Sequence, residues 1–312
     1  MAAKLVVFGS TNWDMSMRLP TIPRAKETVR GGQCHFCLGG KGANQAVAAA
    51  KAGGEVLFVS GLGDDAVAEQ VRAELAGAGL ASDGLLTISG SETGKAMIFV
   101  DAEGENCIGV ADGANAALLP SHLAGYREQL QAADFLLLQL EIPMATVTAA
   151  AQLAKSLATQ VILNPAPAAP LPAELLACVD ILTPNQIEIA QITGLTINSE
   201  ADLHRAADQL LAQGLSAVLV TLGGAGVFVA SREERFTSPA YTVPVVDTTA
   251  AGDVFNGALA VALAEGGSLG SAVQFASAAA ALSVTMAGAL PSIPSRTQIE
   301  NFMGSATATD NK

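Results

Sequence analysis

The chain has 312 residues, half of them apolar but only 4% aromatic, and a formal charge of −13. That length suits one α/β domain spanning 1–312 with an accessory element. Only 16 Lys and Arg are present, without runs, which excludes a nucleic-acid surface.

The opening stretch, MAAKLVVFGSTNWD, carries an apolar run too short for a signal peptide, so a cytoplasmic protein is expected. KLVVFG (4–9) reads as a strand. It leads into STNWD, where Asn12 and Asp14 share one side of an extended segment and Trp13 takes the other. Two polar side chains there suit a polyhydroxyl ligand or, equally, a capped turn.

Residues 15–38 read as strands without an intervening helix. Cys34 and Cys37 have CxxC spacing, but no second Cys or His pair completes a zinc site. With Cys107 and Cys178 they are expected to be reduced thiols. The histidines His35, His122 and His204 lie far apart, which argues against a His base. LGGKGANQ (38–45) puts glycines and Lys41 before a helix over 42–53 with Asn44 in its first turn. Glycines let backbone approach a ligand, and Lys and Asn supply donors. The competing reading is an ordinary glycine turn. No phosphate loop of the G-x-x-x-x-G-K-[ST] type is present.

VLFVSG (56–61) is a second strand and 66–79 a helix. Between them GLGDDA mimics a dinucleotide fingerprint, but Asp64 and Asp65 would meet the pyrophosphate, so an Asp helix cap is expected instead. Residues 94–110 read as a hairpin around DAEGEN. With the first β stretch it would form either an edge hairpin or a small β lid over approximately 13–38 and 94–112. Strands follow at 135–141, 160–164, 180–185 and 217–224. Strands this apolar belong in a mostly parallel central sheet with helices on both faces, a three-layer α/β arrangement. Ligands then bind at the carboxyl ends of strands, where Glu141, Asn164, Asn185 and Thr221 stand. LTPNQIE adds Glu188, which could reach phosphates through Mg²⁺ and water. VTLGGAG offers backbone along a nucleotide.

No charged residue lies between Glu265 and Arg296, but the glycines and prolines there indicate a buried Ala-rich helix and no membrane span. The tail at 304–312 is expected to be disordered.

DTTAAGDVF (247–255) runs through small residues into a helix. Its free N–H groups favour an anion, yet Asp253 sits in the same turn. Phosphoryl transfer to an alcohol needs both an anion site and a base for the attacking hydroxyl. N–H groups of 250–253 would serve the first and the Asp253 side chain the second. The plainer alternative is an Asp that merely favours a helix start.

GGKGANQAVAAAKAG (39–53) and DTTAAGDVFNGAL (247–259) resemble the two signatures of the PfkB sugar-kinase family. GANAAL (113–118), LQLEIP, LNPAPA, TPNQIE and VTLGGAG are similar to family motifs in the same order, over roughly residues 4–302. The resemblance implies a Rossmann-like three-layer α/β fold and an ATP-dependent kinase with a small β-sheet lid that often also forms a homodimer contact. Its acceptor would be the 5-hydroxyl of D-ribose, or else 2-deoxyribose, another pentose or ketose, or a nucleoside. A non-catalytic sugar or nucleotide sensor is the rival of another class. By motif, Asn12, Asp14, Gly40, Lys41, Gly42, Ala43, Asn44 and Glu141 would hold the sugar. Asp253 would be the base, with Ala250, Ala251 and Gly252 as anion hole. Asn185, Thr221, Leu222, Gly223, Gly224, Ala225, Gly226, Gly252 and Ser277 would contact nucleotide, with Glu188 near Mg²⁺. Asp247, Thr249, Ser283, Met286, Gly288 and Ser292 would hold an activating K⁺. Three positions depart from the family pattern: Lys26 replaces a glycine in IPRAKET, Trp13 is bulky, and Ser277 is small.

Overall fold

A nine-stranded sheet takes up nearly all the apolar runs, in the order β13-β12-β11-β10-β9-β8-β1-β4-β5. The computed structural model describes residues 2–309. In chain order the strands are β1 Lys4–Phe8, β2 Asn12–Arg18, β3 Gln33–Gly39, β4 Glu55–Gly63, β5 Leu85–Ile88, β6 Gly94–Val100, β7 Asn106–Ala111, β8 Phe135–Leu138, β9 Gln160–Leu163, β10 Ile181–Leu182, β11 Ala217–Thr221, β12 Val227–Ser231 and β13 Arg235–Ser238. Pairing is parallel from β5 through β11 and antiparallel only at the β11–β12–β13 edge. That edge hairpin was not foreseen from sequence.

Period-two alternation sends successive side chains of each strand to opposite layers. Val7 and Leu137 pack with the helices Lys41–Lys51, Ala251–Ala264 and Leu269–Ser283. Val6, Phe8, Leu136 and Leu138 pack on the other face with Met144–Ser156 and Glu200–Leu211. Both faces are therefore buried, as expected for strands without polar alternation. The scarcity of aromatics has a direct counterpart in the first layer. A Cβ on Gly257 would fall 2.6 Å from the Gln45 carbonyl oxygen, so two small-residue helices meet almost backbone to backbone.

The chain runs β1, β4, β5 outward, then returns to place β8 on the other side of β1. This reversal opens a crevice at the carboxyl ends of β1 and β8, where open α/β sheets bind ligands. The Ser10 hydroxyl, after β1, donates to Glu141 Oε2, after β8, at 2.6 Å across it.

A second sheet, ordered β3-β2-β6-β7, stands apart from the first. It unites the two β stretches expected at 13–38 and 94–112, as a lid and not as an edge hairpin of the main sheet. The turn between β2 and β3 holds Lys26 at φ 71°, a left-handed conformation in which glycine is the unstrained residue. The turn thus keeps a glycine-type shape without the glycine. Asp65 caps the helix Ala66–Gly77, accepting from the Ala68 N–H at 3.1 Å.

The uncharged stretch after Glu265 forms the helix Leu269–Ser283 and a short turn Ala289–Ser292. Among the described residues no helix is long and apolar enough to cross a membrane. The final helix spans Arg296–Thr309, so residues 304–309 continue a helix where a disordered tail was expected. Residues 310–312 lie outside the described residues.

Candidate active site

Two cavities meet at the turn before helix Ala251–Ala264. The smaller, of about 220 Å³, is lined by Lys41, Asn164, Asn185, Glu188, Gly252 and Asp253, among others. The larger, of about 610 Å³, runs from Thr221 and Gly223 along Tyr241, Val243 and Val245 to Ser277 and Val284. Asn185, Thr221, Thr248, Ala251 and Gly252 line both.

Ala250 stands at φ 62°, left-handed, and launches the helix without a side-chain cap. The first-turn N–H groups are left for a ligand at the cavity wall. The Ala251 N–H makes only a 3.3 Å turn bond to the Thr248 carbonyl. Asp253, in that turn, is 4% exposed. Its Oδ2 accepts from Asn44 Nδ2 at 3.0 Å and its Oδ1 from Gln45 Nε2 at 3.1 Å. Burial raises the Asp253 carboxyl above its usual range, Lys41, Asn44 and Gln45 oppose the rise, and Glu141 adds to it. A carboxylate held in place and readier than usual to take a proton is what a general base requires.

Lys41 opens the helix Lys41–Lys51 behind Gly40, whose φ is 89°. Its backbone N–H donates to Glu141 Oε2 at 2.9 Å. Burial works against the Lys41 ammonium, but Asp253, Glu141 and Glu188 outweigh it and raise its pKa. Ala43 and Asn44 follow, buried with Gly42 in the same helix start. Asn44 Oδ1 and Asp14 Oδ1 are buried with no hydrogen-bond partner. Such acceptors carry a desolvation penalty unless a ligand supplies donors. The Asp14 carboxyl is pushed up to about 7, first by burial and then by Glu141. It packs so closely on Gly39 that a Cβ there would lie 2.0 Å from Asp14 Oδ2.

Asn12 Oδ1 accepts from Asn115 Nδ2 at 2.8 Å, and Asn115 also takes the Thr11 N–H at 2.9 Å. Trp13 is partly buried and packs against the core. Asp14, Lys41, Asn44, Glu141 and Asp253 are linked through hydrogen bonds and fields, while Asn12 is held separately by Asn115.

Asn185 and Glu188 form a reciprocal helix cap, with Asn185 Oδ1 accepting from the Glu188 N–H at 2.8 Å and Glu188 Oε2 from the Asn185 N–H at 2.7 Å. Burial raises the Glu188 carboxyl, the Asn185 N–H and Lys41 oppose this, and Asp253 adds to it. Thr221, Gly223, Gly224 and Gly226 line the larger cavity; Leu222 packs into the core instead and Ala225 is outside the lining. A Cβ on Gly226 would collide with the Ser238 carbonyl at 2.0 Å. Ser277 is 8% exposed and its Oγ has no partner. The apolar wall of Tyr241, Val243, Val245, Phe255 and Val284 was missed from sequence, because ordinary apolar residues carry no signal of lining a slot.

Asp247 Oδ1 accepts from the Thr249 N–H at 2.9 Å and hydroxyl at 2.6 Å, and Oδ2 from the Gly288 N–H at 2.8 Å. Burial pushes the Asp247 carboxyl up, but these donors and the charge of Arg18 outweigh it and hold it below its usual value. Val284 O accepts from the Val246 N–H at 2.7 Å, so the 247–249 and 283–288 segments are tied together. Ser283 and Ser292 are buried nearby in sequence, their hydroxyls donating to Ala280 and Ala289 carbonyls at 2.8 Å each. Met286 is half exposed.

Several buried polar residues were not foreseen as site residues: Gln45, Asn115, Gln139, Thr183 and Asn256. One signal was available. Gln139 interrupts FLLLQLE and Asn256 interrupts the apolar helix after DVF, and a polar residue in a buried apolar run needs a partner.

The chain matches the model of the pfkB family carbohydrate kinases over residues 2–296. It is similar to a ribokinase of Haemophilus influenzae, 40% identical over 97% of this chain and 99% of that one. It is also similar to a deoxyribokinase of Salmonella typhi, 34% identical over 96% and 98%. Among solved structures, Arabidopsis thaliana ribokinase complexed with ribose and ATP superimposes with a TM-score of 0.92 at 34% identity, covering 97% of this chain and 99% of that one.

Proposed function

The chain belongs to the pfkB family of carbohydrate kinases, and from that premise we propose that it transfers the γ-phosphoryl group of ATP to the 5-hydroxyl of D-ribose. The observation that carries this is the buried Asp253, which lines the smaller, polar cavity beside Gly252, where that cavity meets the larger one with its apolar slot.

The sugar sits in the crevice under the lid, with Asn12, Asp14, Gly40, Lys41, Asn44 and Glu141 facing its hydroxyls. The unpartnered Oδ1 atoms of Asn44 and Asp14 support this, since hydroxyls would satisfy them. The base and phosphates of ATP follow the larger cavity toward the 250–253 turn. There the free N–H groups and the Lys41 ammonium meet the charge of the group in transfer. Asp253 accepts the proton of the attacking hydroxyl, its oxygens aimed by Asn44 and Gln45. The two charges of the opening puzzle thus serve opposite ends of one in-line transfer. Lid closure excludes water that would otherwise consume ATP.

Mg²⁺, when bound, neutralises phosphate charge. Because Mg²⁺ keeps several of its waters, it would be held chiefly by phosphates and water, with the Glu188 carboxylate behind it. K⁺ fits the tied segments around Asp247, with oxygens of Thr249, Ser283, Met286, Gly288 and Ser292 as further candidates. It would order the anion-binding turn. Exposed Phe36, Met97, Ile108 and Val110 on the lid strands support a homodimer through the lid. Four free cysteines support a reducing compartment such as the cytoplasm.

The test is ATP-to-ADP turnover with Mg²⁺ and K⁺ across D-ribose, 2-deoxyribose, fructose, ribulose and adenosine. Ribose should lead by a wide kcat/KM margin. A lead by 2-deoxyribose would move this chain toward its deoxyribokinase relative and leave the kinase mechanism intact. No turnover with any acceptor would remove the catalytic reading.

A further inference from the structure

Five side chains behind the site form a continuous hydrogen-bonded circuit with the backbone, and Gln139 joins it as a branch whose own Oε1 is buried without a partner. Gln139 Nε2 donates to Gln45 Oε1 at 2.6 Å. Gln45 Nε2 donates to Asp253 Oδ1 at 3.1 Å and to Asn164 Oδ1 at 3.2 Å. Asn164 Nδ2 donates to the Thr183 carbonyl at 3.1 Å, and the Thr183 hydroxyl to Asn256 Oδ1 at 2.6 Å. Asn256 Nδ2 then donates to the carbonyl of Gly252 at 2.8 Å, one residue before Asp253. The circuit therefore closes on itself through the Gly252–Asp253 peptide.

Every amide orientation in it is forced. An ionised carboxylate and the carbonyls of Thr183 and Gly252 only accept. Each therefore turns an NH₂ toward itself and passes the opposite polarity on to the next member. All the side chains are at most 7% exposed, so losing a partner there is costly. The five helpers come from different parts of the fold: the helix Lys41–Lys51, the ends of β8, β9 and β10, and the helix Ala251–Ala264.

We propose that Gln45 is a positioning residue that locks the Asp253 carboxylate to the Gly252 peptide, so that proton acceptor and anion-binding turn keep one geometry during transfer. This rests on Asp253 being the base. The circuit explains why Gln45 is buried, and why Asn256 reaches back to a helix carbonyl that its own N–H can already serve. Lys41, Glu141 and Glu188 are the other charged groups whose fields reach Asp253, and none of them belongs to the circuit.

The test is a double-mutant cycle with Gln45→Met and Asn256→Leu, near-isosteric replacements without hydrogen bonds, read by kcat, sugar KM and pH profile. Gln45→Met should lower kcat about tenfold or more, the usual weight of a hydrogen bond to a charged group, with sugar KM changed far less. The acidic limb of kcat should move to higher pH, because the ionised Asp253 loses a donor. The double variant should lose little more than the worse single one, since either cut opens the same circuit. An unmoved acidic limb, or losses that multiply, would overturn the proposal. If Gln45→Met does not fold, Gln45→Leu, equally unable to donate, should show the same limb shift, and its absence is equally contrary. Asp253→Asn run alongside separates the two readings. Full turnover there removes the base itself, whereas an inactive Asp253→Asn beside a normal Gln45→Met removes only the role of Gln45.

Discussion

Asn44 donates to Asp253 Oδ2 at 3.0 Å although 209 residues separate them in the chain. Its other amide atom, Oδ1, is buried without a partner. One side chain therefore holds the proposed proton acceptor and keeps an acceptor of its own, which the proposed function assigns to a sugar hydroxyl. Asn44→Leu should raise sugar KM about tenfold or more and lower kcat as well, each lost bond being worth roughly 1–3 kcal/mol. Steady-state kinetics with varied sugar reads both, and an unchanged KM would place the sugar elsewhere.

Asp14 couples stability to pH. Its carboxyl lies at about 7 in the folded chain against an ordinary value of 3.8. Between those values the folded state keeps a proton that the unfolded state releases, so this group removes stability as pH rises through the interval and no more above it. Asp14→Asn should therefore resist urea better than the parent at about pH 8, by on the order of a few kcal/mol, with the gap closing below about pH 4. The same variant should bind sugar more weakly. Equal urea midpoints at both pH values would contradict the assignment.

Lys26 holds a left-handed conformation without being glycine. Lys26→Gly should remove that strain, worth about 1 kcal/mol, and slow hydrogen exchange in the lid without changing kcat for a saturating sugar. Faster exchange there would show that the turn is already relaxed.

The tie between Asp247, Thr249 and Gly288 puts the proposed K⁺ position directly before the anion-binding turn. Exchanging K⁺ for Na⁺ should lower kcat while leaving sugar affinity nearly unchanged. Identical activity in both salts would mean that the tie alone orders the turn.

Much of this arrangement was legible in the sequence because its signals are local. Buried strands announce themselves as apolar runs, Asp65 as a cap before a helix, and Asp253 as a charge in a glycine turn. What stayed hidden depends on partners distant in the chain. Nothing local says that Gln45 answers Gln139 at a separation of 94 residues, or that Thr183 meets Asn256. The β12–β13 edge was missed because its strands follow β11 as a hairpin where the alternation of strands and helices suggested another crossover. The tail at 304–309 reads as polar and small, yet the helix begun at Arg296 simply continues through it.

The most direct measurement is ribose turnover by Asp253→Asn, paired with calorimetric ribose binding by the same protein. Binding close to that of the parent with turnover lowered about 10²- to 10⁴-fold or more is expected of a lost general base. Turnover near that of the parent would contradict the account at its centre, because the proposed base, bonded through both oxygens to Asn44 and Gln45, would then have no role in the transfer.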